Sequence, residues 1–181
     1  MKFSAALLPA LALTSYAASP PSYGGGAADP YALVGYGLEN PLGPTTGGKG
    51  GKAVTVSTAD ALLAAVKGDK PKVVYVKGTI SLPSRLRPGA NTSILGAGKG
   101  AEILQNGISL SNTTNVIVRN LAIRRILDND GITITNTTRV WIDHNEFSSE
   151  FSQEIGPDTY DGQCDIVRAS DWITVSWNYF Q

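Results

Sequence analysis

Cysteine, histidine and net charge are all scarce in this 181-residue sequence. Cys164 is its only cysteine, so no disulfide can form within the chain. His144 is its only histidine, which excludes a zinc site built from several imidazoles. Fifteen basic residues balance fifteen acidic residues. The protein therefore has no overall field to attract nucleic acid or an acidic membrane, and we expect neither as a partner.

Long hydrophobic runs are also missing, apart from a short one at the N-terminus. Residues 1–17 combine the basic Lys2, an apolar run and a small-x-small cleavage site, which is typical of a secretory signal peptide. No other stretch approaches the length of a membrane span. We expect a secreted, extracellular protein with a Pro- and Gly-rich arm over residues 18–33 and one domain over residues 34–181.

Three stretches of the chain repeat one pattern. They are GISLSNTTNVIVRNLAI from Gly107, GITITNTTRVWIDHNEF from Gly131 and CDIVRASDWITVSWNYF from Cys164, with starts 24 and 33 residues apart. Aligned without gaps, they place apolar residues in three shared columns: Val116, Val140 and Ile173; Val118, Ile142 and Val175; and Ile123, Phe147 and Phe180. Such self-similarity is typical of stacked repeats, in which no unit buries its apolar face alone.

The repeated unit is composed of strands. Apolar residues alternate within each unit and β-branched residues dominate, which favours short strands over helices. A polar turn, at Asn112 in one unit and at Asn136 in the next, separates two strands inside the unit. Both asparagines match glycosylation sequons, but side chains in one column are better read as stacking from rung to rung, whereas Asn91 is a plausible glycosylation acceptor. Strand, turn, strand and loop along one axis predict an all-β fold, a parallel β-helix.

Upstream of the repeats the sequence predicts one helix and several strands. Residues 57–68 begin with Ser-Thr-Ala-Asp, a motif like a capping box, and end at a glycine. We expect this short helix to precede the first rung and to cap the N-terminal end of the stack, since an open stack exposes an apolar end. Three early strands are predicted over residues 73–76, 92–96 and 101–104.

Six motifs between residue 34 and Gln181 resemble those of the family 1 pectate lyases, secreted right-handed β-helix enzymes of fungi, bacteria and plants. In chain order they are PTTGG (44–48), VYVKGTI (74–80), ILG (94–96), NVIVRNL (115–121), VWIDH (140–144) and ITVSWN (173–178). They extend over roughly four-fifths of the chain. The resemblance implies a right-handed parallel β-helix that cleaves polygalacturonate, the de-esterified form of pectin, by β-elimination with Ca²⁺ as cofactor.

Four aspartates provide the oxygen ligands that calcium requires. Asp128 and Asp130 are two residues apart, so on a strand they would point to one side, and Asp165 falls within two columns of Asp130 in the next unit. Carboxylates stacked about 4.8 Å apart repel each other unless a cation lies between them. Asp161 can join only if the chain bends, which Gly162 permits. The resemblance implies that Asp130, Asp161 and Asp165 bind calcium, with Asp128 as an additional ligand in some members.

Other sites agree less well with the sequence. An EF-hand loop around Asp128 would have Ile126 and Thr137 at its first and twelfth positions, and neither is a carboxylate. We interpret His144 as a hydrogen-bonded structural residue, and Asp143, which resembles an invariant family residue outside the calcium site, as structural too. The three tryptophans are expected to pack between repeats and not to stack on sugars: Trp141, Trp172 and Trp177.

The resemblance also implies a mechanism. A base removes the C5 proton of a galacturonate, calcium neutralises the adjacent carboxylate, and the C4 oxygen leaves, so that the product has a 4,5-unsaturated end. In the family the base is an arginine in rungs beyond the position of Gln181. No arginine of this chain matches its motif, and we assign the role to none of them: Arg119, Arg124, Arg125, Arg139 and Arg168. We expect an N-terminal portion, incomplete at its C-terminal end and inactive alone.

Two alternative functions stay open at this point. One is a non-catalytic secreted β-helix that binds acidic polysaccharide. The other is a pectin lyase, an enzyme of the same fold that acts on methyl-esterified, neutral pectin and resembles this family with the calcium carboxylates lost. The four aspartates favour the de-esterified polyanion, and we expect a monomer.

Overall fold

The computed structural model describes residues 33, 35–150, 156 and 159–181. The predicted signal peptide and residues 18–32 of the predicted arm lie outside this part of the chain. One helix, α1, covers Ala59–Ala65. The strands are β1 Lys52–Val56, β2 Lys72–Val76, β3 Thr79–Ser81, β4 Thr92–Gly96, β5 Glu102–Gln105, β6 Ile108–Ser111, β7 Thr114–Arg119, β8 Ala122–Ile126, β9 Ile132–Thr135, β10 Thr138–Asp143, β11 Glu146–Ser148, β12 Cys164–Val167, β13 Asp171–Ser176 and β14 Tyr179–Phe180.

These strands form three parallel sheets that run along one axis. The first sheet has the order β1-β2-β4-β7-β10-β13, the second β14-β11-β8-β5-β3 and the third β12-β9-β6. The three turns that begin at β4, β7 and β10 each add one strand to each sheet in succession, and every pairing is parallel. The predicted parallel β-helix is confirmed.

The apolar columns predicted from the repeats are also confirmed. Val140 pairs with Val116 on one side and with Ile173 on the other, and Phe147 lies between Ile123 and Phe180. The residues of alternate positions point inward and form one buried core along the axis. The rings of Phe147 and Phe180 stack with their centroids 4.8 Å apart. Register follows the hydrophobic pattern because a slip of one residue would turn each side chain to the opposite face.

The gapless alignment is wrong by one residue in the third sheet. It places Cys164 opposite Gly131, whereas the structure pairs Cys164 with Ile132 and Asp165 with Thr133. The cause is the length of the turn that leads from the third sheet to the first. Three residues separate β12 from β13, whereas two separate β9 from β10. The shift matters because Thr133 alternates with the buried Ile132 and therefore points outward. Asp165 shares that outward column.

Asparagine side chains from successive rungs hydrogen-bond to one another at the turns. Asn136 Nδ2 donates to Asn112 Oδ1 at 2.7 Å, which confirms the predicted stacking, and both residues have positive φ. A second pair lies inside the stack, where Asn145 Nδ2 donates to Asn178 Oδ1 at 3.0 Å. The Asn91 amide, the plausible glycosylation acceptor, accepts from Asn115 Nδ2 at 2.8 Å and so takes part in a similar contact.

Helix α1 follows one strand of the first sheet and precedes the next. Thr58 caps it, since the Thr58 Oγ1 atom accepts from the Ala61 N–H at 3.4 Å. Leu62 and Val66 are buried in the same core as the strands. Strand β1, which the sequence did not predict, precedes the helix, so α1 lies between two strands and not before the first one. No helix in the described part of the chain is long and apolar enough to cross a membrane.

A glycine-rich segment covers the outer face of the first sheet. Asn115 anchors it: its Oδ1 accepts from the N–H groups of Thr46 and Gly47 at 2.7 and 2.8 Å, and its Nδ2 donates to the Gly47 carbonyl at 3.1 Å. The backbone of Gly47 lies so close to Ser93 that a Cβ atom there would be 2.2 Å from Ser93 Oγ. The PTTGG motif therefore closes a layer over the outer face of the first sheet.

Candidate metal centre

The four predicted ligands lie where the second sheet ends and the third begins. Asp128 and Asp130 occupy the loop between β8 and β9, and Asp161 and Asp165 lie just before and within β12. Since β9 and β12 are neighbours, the two pairs occupy adjacent rungs of the helix. The Asp128 N–H donates to the Thr159 carbonyl at 3.2 Å, which joins the two loops.

Thr133 connects the two rungs at this position. Its hydroxyl donates to Asp130 Oδ2 at 2.5 Å, and in the sheet it is the register partner of Asp165. Strands in one sheet are about 4.8 Å apart. The Asp130 carboxylate is thus tied to the side chain that lies directly beside Asp165.

The Asp165 carboxylate lies in the field of two other carboxylates. Burial is the largest cause that raises the pKa of Asp165, and the negative charges of Asp130 and Asp161 raise it further. The pKa of the neighbouring Cys164 thiol is raised to about 11, first by burial and then by Asp165 and Asp130. Negative charge is therefore concentrated here, which a bound cation would offset.

Gly162 allows the bend that the sequence required. Its N–H donates to Asp161 Oδ1 at 2.9 Å. A Cβ atom at this position would be 2.2 Å from Asp165 Oδ1, so a larger residue would displace that carboxylate. The absence of a side chain lets Asp161 and Asp165 approach from two sides of one turn.

The side chains of the site are of the type that calcium prefers, but their oxygen atoms do not converge on one position. Carboxylate oxygens are the ligands that Ca²⁺ prefers. However, within residues 33, 35–150, 156 and 159–181 no group of three or more His, Cys, Asp or Glu side chains lies close enough together to hold a metal ion. Calcium would have to draw Asp130, Asp161 and Asp165 together, and the ligand assignment stays a prediction.

Arg85 enters this site, and the sequence analysis missed it. Its guanidinium donates to Asn129 Oδ1 at 3.2 Å, to the Asp130 carbonyl at 3.4 Å and to Thr133 Oγ1 at 2.5 Å. Burial lowers the pKa of Arg85, while Asp130 and Asp161 raise it. Arg85 is distant in sequence from each aspartate, so only the folded chain brings them together.

The VWIDH motif forms a separate, buried network away from the aspartate cluster. Asp143 is fully buried: its Oδ2 atom accepts from Arg119 Nε at 2.9 Å and contacts His144 Nδ1 at 2.5 Å, and its Oδ1 atom accepts from Ser176 Oγ at 2.6 Å. The Ser176 hydroxyl also accepts from Trp141 Nε1 at 3.0 Å. These contacts agree with the structural interpretation of Asp143 and His144.

The tryptophans divide into two environments. Trp141 is buried on the outer face of the first sheet and packs with Val73, Leu95 and Ile117, as expected of a packing residue. Trp177 is 54% exposed, with its ring centroid 6.4 Å from that of His144. The packing expectation is therefore correct for Trp141 and incomplete for Trp177.

Comparison with known proteins identifies the relatives of this chain. The sequence profile of the family described as pectate lyase matches residues 6–181. Pectate trisaccharide-lyase of Bacillus licheniformis is 38% identical over 161 residues, which are 82% of this chain and 46% of that protein. Pectate lyase A of Aspergillus niger is 43% identical over 148 residues, 80% of this chain and 45% of that protein. The chain thus spans about half the length of the curated relatives it matches.

A solved structure agrees with both sequence matches. The pectate lyase from Bacillus sp. N165, determined in complex with trigalacturonate, superposes with a TM-score of 0.74 and is 36% identical, over 82% of this chain and 52% of that one. The sequence profile, the relatives and the parallel β-helix all lead to one assignment. This chain belongs to the pectate lyase family.

Proposed function

We propose that the full-length gene product is a calcium-dependent pectate lyase that cleaves polygalacturonate by β-elimination. The observation that carries this proposal is that Asp130, Asp161 and Asp165 lie on two adjacent rungs at the same edge of the β-helix, in a chain of the pectate lyase family. A relative bound to trigalacturonate supports an acidic galacturonan as the substrate. Methyl-esterified pectin is neutral, so it has no carboxylate that a cation could bridge to these aspartates.

The residues of this chain would hold the cation and the anionic sugar that it bridges. Asp130, Asp161 and Asp165 supply carboxylate oxygens, and Asp128 on the same loop assists. A bound calcium ion would supply positive charge beside the galacturonate carboxylate, which would make the adjacent C5 proton easier to remove. When a base takes that proton, the C5–H electron pair forms the C4–C5 double bond. The C4–O bond breaks, the glycosidic oxygen leaves with its electron pair and takes up a proton from solvent, and a 4,5-unsaturated sugar remains.

The arginines of the repeats support leaving the base unassigned in this chain. Arg119 is paired with the buried Asp143, and Arg124 contacts Glu102 and Glu146. Arg125 Nε is 3.1 Å from Glu150, and Arg139 donates to the Pro44 carbonyl at 3.0 Å. Four of the five repeat arginines therefore have partners within the protein, and we assign the base to none of the five, Arg168 included.

An ultraviolet assay for unsaturated product tests the function. We expect the full-length gene product to release such product from polygalacturonate with calcium, and chelator to abolish the reaction. Binding without product would instead indicate a non-catalytic polysaccharide-binding β-helix. Comparable cleavage of highly methylated pectin in excess chelator would identify a pectin lyase and refute the proposal.

We further propose that the protein is secreted and acts as a monomer. The named relatives are pectate lyases, and residues 1–17 have the pattern of a signal peptide. N-terminal sequencing of protein recovered from culture medium tests secretion: a mature start near Ala18 is expected, and retention of residues 1–17 in the cell would contradict it.

A further inference from the structure

Arg85 reaches the aspartate cluster from an earlier turn of the β-helix than the aspartates themselves. Leu86 forms a bridge with Ile108, so the short segment around Arg85 lies one rung before β6. The neighbours of β6 in turn are β9 and then β12. To reach Thr133 on β9, the Arg85 side chain crosses the rung of β6, where it donates to the Ile108 carbonyl at 3.4 Å.

The guanidinium of Arg85 contacts the loop before β9 at two points and β9 itself at a third. It binds the side chain of Asn129, the backbone carbonyl of Asp130 and the hydroxyl of Thr133. The Thr133 hydroxyl in turn donates a hydrogen bond to Asp130 Oδ2. The guanidinium fixes the direction in which the hydroxyl donates, because an arginine N–H can only donate and the threonine oxygen must therefore accept from it.

We propose that Arg85 is a positioning residue for the calcium site, one that holds Asp130 in the orientation needed to meet Asp161 and Asp165. The planar fork of a guanidinium suits this role, since several N–H groups donate in fixed directions. A lysine ammonium is a compact charge without that geometry. This inference rests on the proposed calcium-dependent function, but its effect on loop order can be measured without calcium.

The charge of Arg85 acts in the opposite direction from its geometry. The positive charge of Arg85 repels a calcium ion at the site. Replacement of Arg85 by a neutral residue would therefore have two opposite effects on calcium affinity: the loop would lose order, and the repulsion would disappear. Arg85→Lys keeps the charge and removes the fork. Thr133→Val keeps Arg85 and removes the hydroxyl that links it to Asp130, and Thr133→Ser restores that hydroxyl as a control.

Calcium affinity measured by isothermal titration calorimetry is the first readout. We expect Arg85→Lys and Thr133→Val each to raise the Kd roughly tenfold, equal to about 1.4 kcal/mol, which is the order of one hydrogen bond to a charged group. Thr133→Ser and Arg87→Lys, a change at the exposed neighbour of Leu86, should stay close to the parent protein. Unchanged affinity in both Arg85→Lys and Thr133→Val would overturn the proposal.

Hydrogen exchange of the calcium-free protein is the second readout. The N–H groups of Gly131 and Ile132 donate across to Gly162 and Gln163 at 2.9 and 3.0 Å. We expect these amides to exchange about tenfold faster in Arg85→Lys, with no change at Val118 in the first sheet. Equal loss of protection in both regions would mean that Arg85 only stabilises the whole fold, and would refute a positioning role.

The two readouts separate failure of this inference from failure of the proposed function. If the parent protein binds no calcium, the calcium-dependent function fails, whereas the exchange rates still decide whether Arg85 orders the loop. If the parent binds calcium and neither variant changes affinity or exchange, the function stands and the inference fails. Should Arg85→Lys not fold, Thr133→Val supplies the same comparison.

Discussion

Replacement of Asp143 by alanine should destabilise the whole β-helix strongly. Asp143 has no exposed surface, and its carboxylate accepts from Arg119 and Ser176 at 2.9 and 2.6 Å and contacts His144 at 2.5 Å. The Arg119 side chain is itself only 12% exposed. Loss of the carboxylate leaves a cation with little water and one partner fewer.

The cost can be estimated from the geometry of this ion pair. Removal of one partner of a buried pair typically costs about 3–5 kcal/mol, and domains are stable by only about 5–15 kcal/mol in total. We therefore expect Asp143→Ala to lower the free energy of unfolding by about 3–5 kcal/mol. Urea unfolding followed by the fluorescence of the buried Trp141, whose indole donates to Ser176, measures it.

The matched control is an exposed ion pair of the same chain. Arg125 Nε lies 3.1 Å from Glu150, with side chains 60% and 54% exposed. Pairs in such positions contribute about 0–1 kcal/mol, so Glu150→Ala should have almost no effect. If Asp143→Ala lost no more stability than Glu150→Ala, our account of the VWIDH motif as a structural network would be refuted.

Three further outcomes follow from contacts elsewhere in the structure. Asn115→Ala should lower the free energy of unfolding by about 2–4 kcal/mol, because it leaves buried N–H groups such as that of Gly47 without an acceptor; a urea midpoint equal to that of the parent would contradict this. Gly162→Ala should weaken calcium binding at least tenfold, measured by calorimetry, because its Cβ would displace Asp165; an unchanged Kd would show that this approach is unimportant. Without calcium, stability should fall as pH rises from about 3.9 through the raised pKa of Asp165, since the folded state binds more protons in that window. Melting curves with and without calcium test it, and a slope that added calcium leaves unchanged would argue against an ion at this carboxylate.

The fold could be predicted from the sequence because its repeats carry their own register. Val116, Val140 and Ile173 occupy one inward column, and moving any one of them by a residue would expose it. The stacking of Asn112 on Asn136 follows from the same spacing. Local pattern and global fold agree over these rungs, which is the condition under which a sequence specifies its structure.

The errors arose where turn length, not strand pattern, sets the position. One extra residue in the turn after β12 shifts Asp165 from the column of Ile132 to that of Thr133. The residues themselves do not show which side of a turn absorbs an insertion. The gapless alignment therefore predicted the right neighbours in the first sheet and between β6 and β9, and the wrong ones only between β9 and β12.

Part of the candidate site could not be read from the sequence for a different reason. Arg85 contacts Thr133 across 48 positions of the chain, and Asn115 binds Gly47 across 68. Each contact joins a residue outside the repeats to one within them, so the periodic pattern of the sequence does not indicate it. Arg85 and Arg87 alternate around the buried Leu86, which indicates only that both point outward.

Calorimetric titration of the protein with polygalacturonate oligomers, in calcium and in chelator, tests the central claim most directly. The measurement is repeated with a variant in which Asp130, Asp161 and Asp165 are replaced by asparagine, changes that keep size and remove charge. We expect the parent protein to bind in calcium and not in chelator, and the variant to bind in neither. Binding that is equally strong in chelator, or in the variant, would contradict a calcium-bridged site.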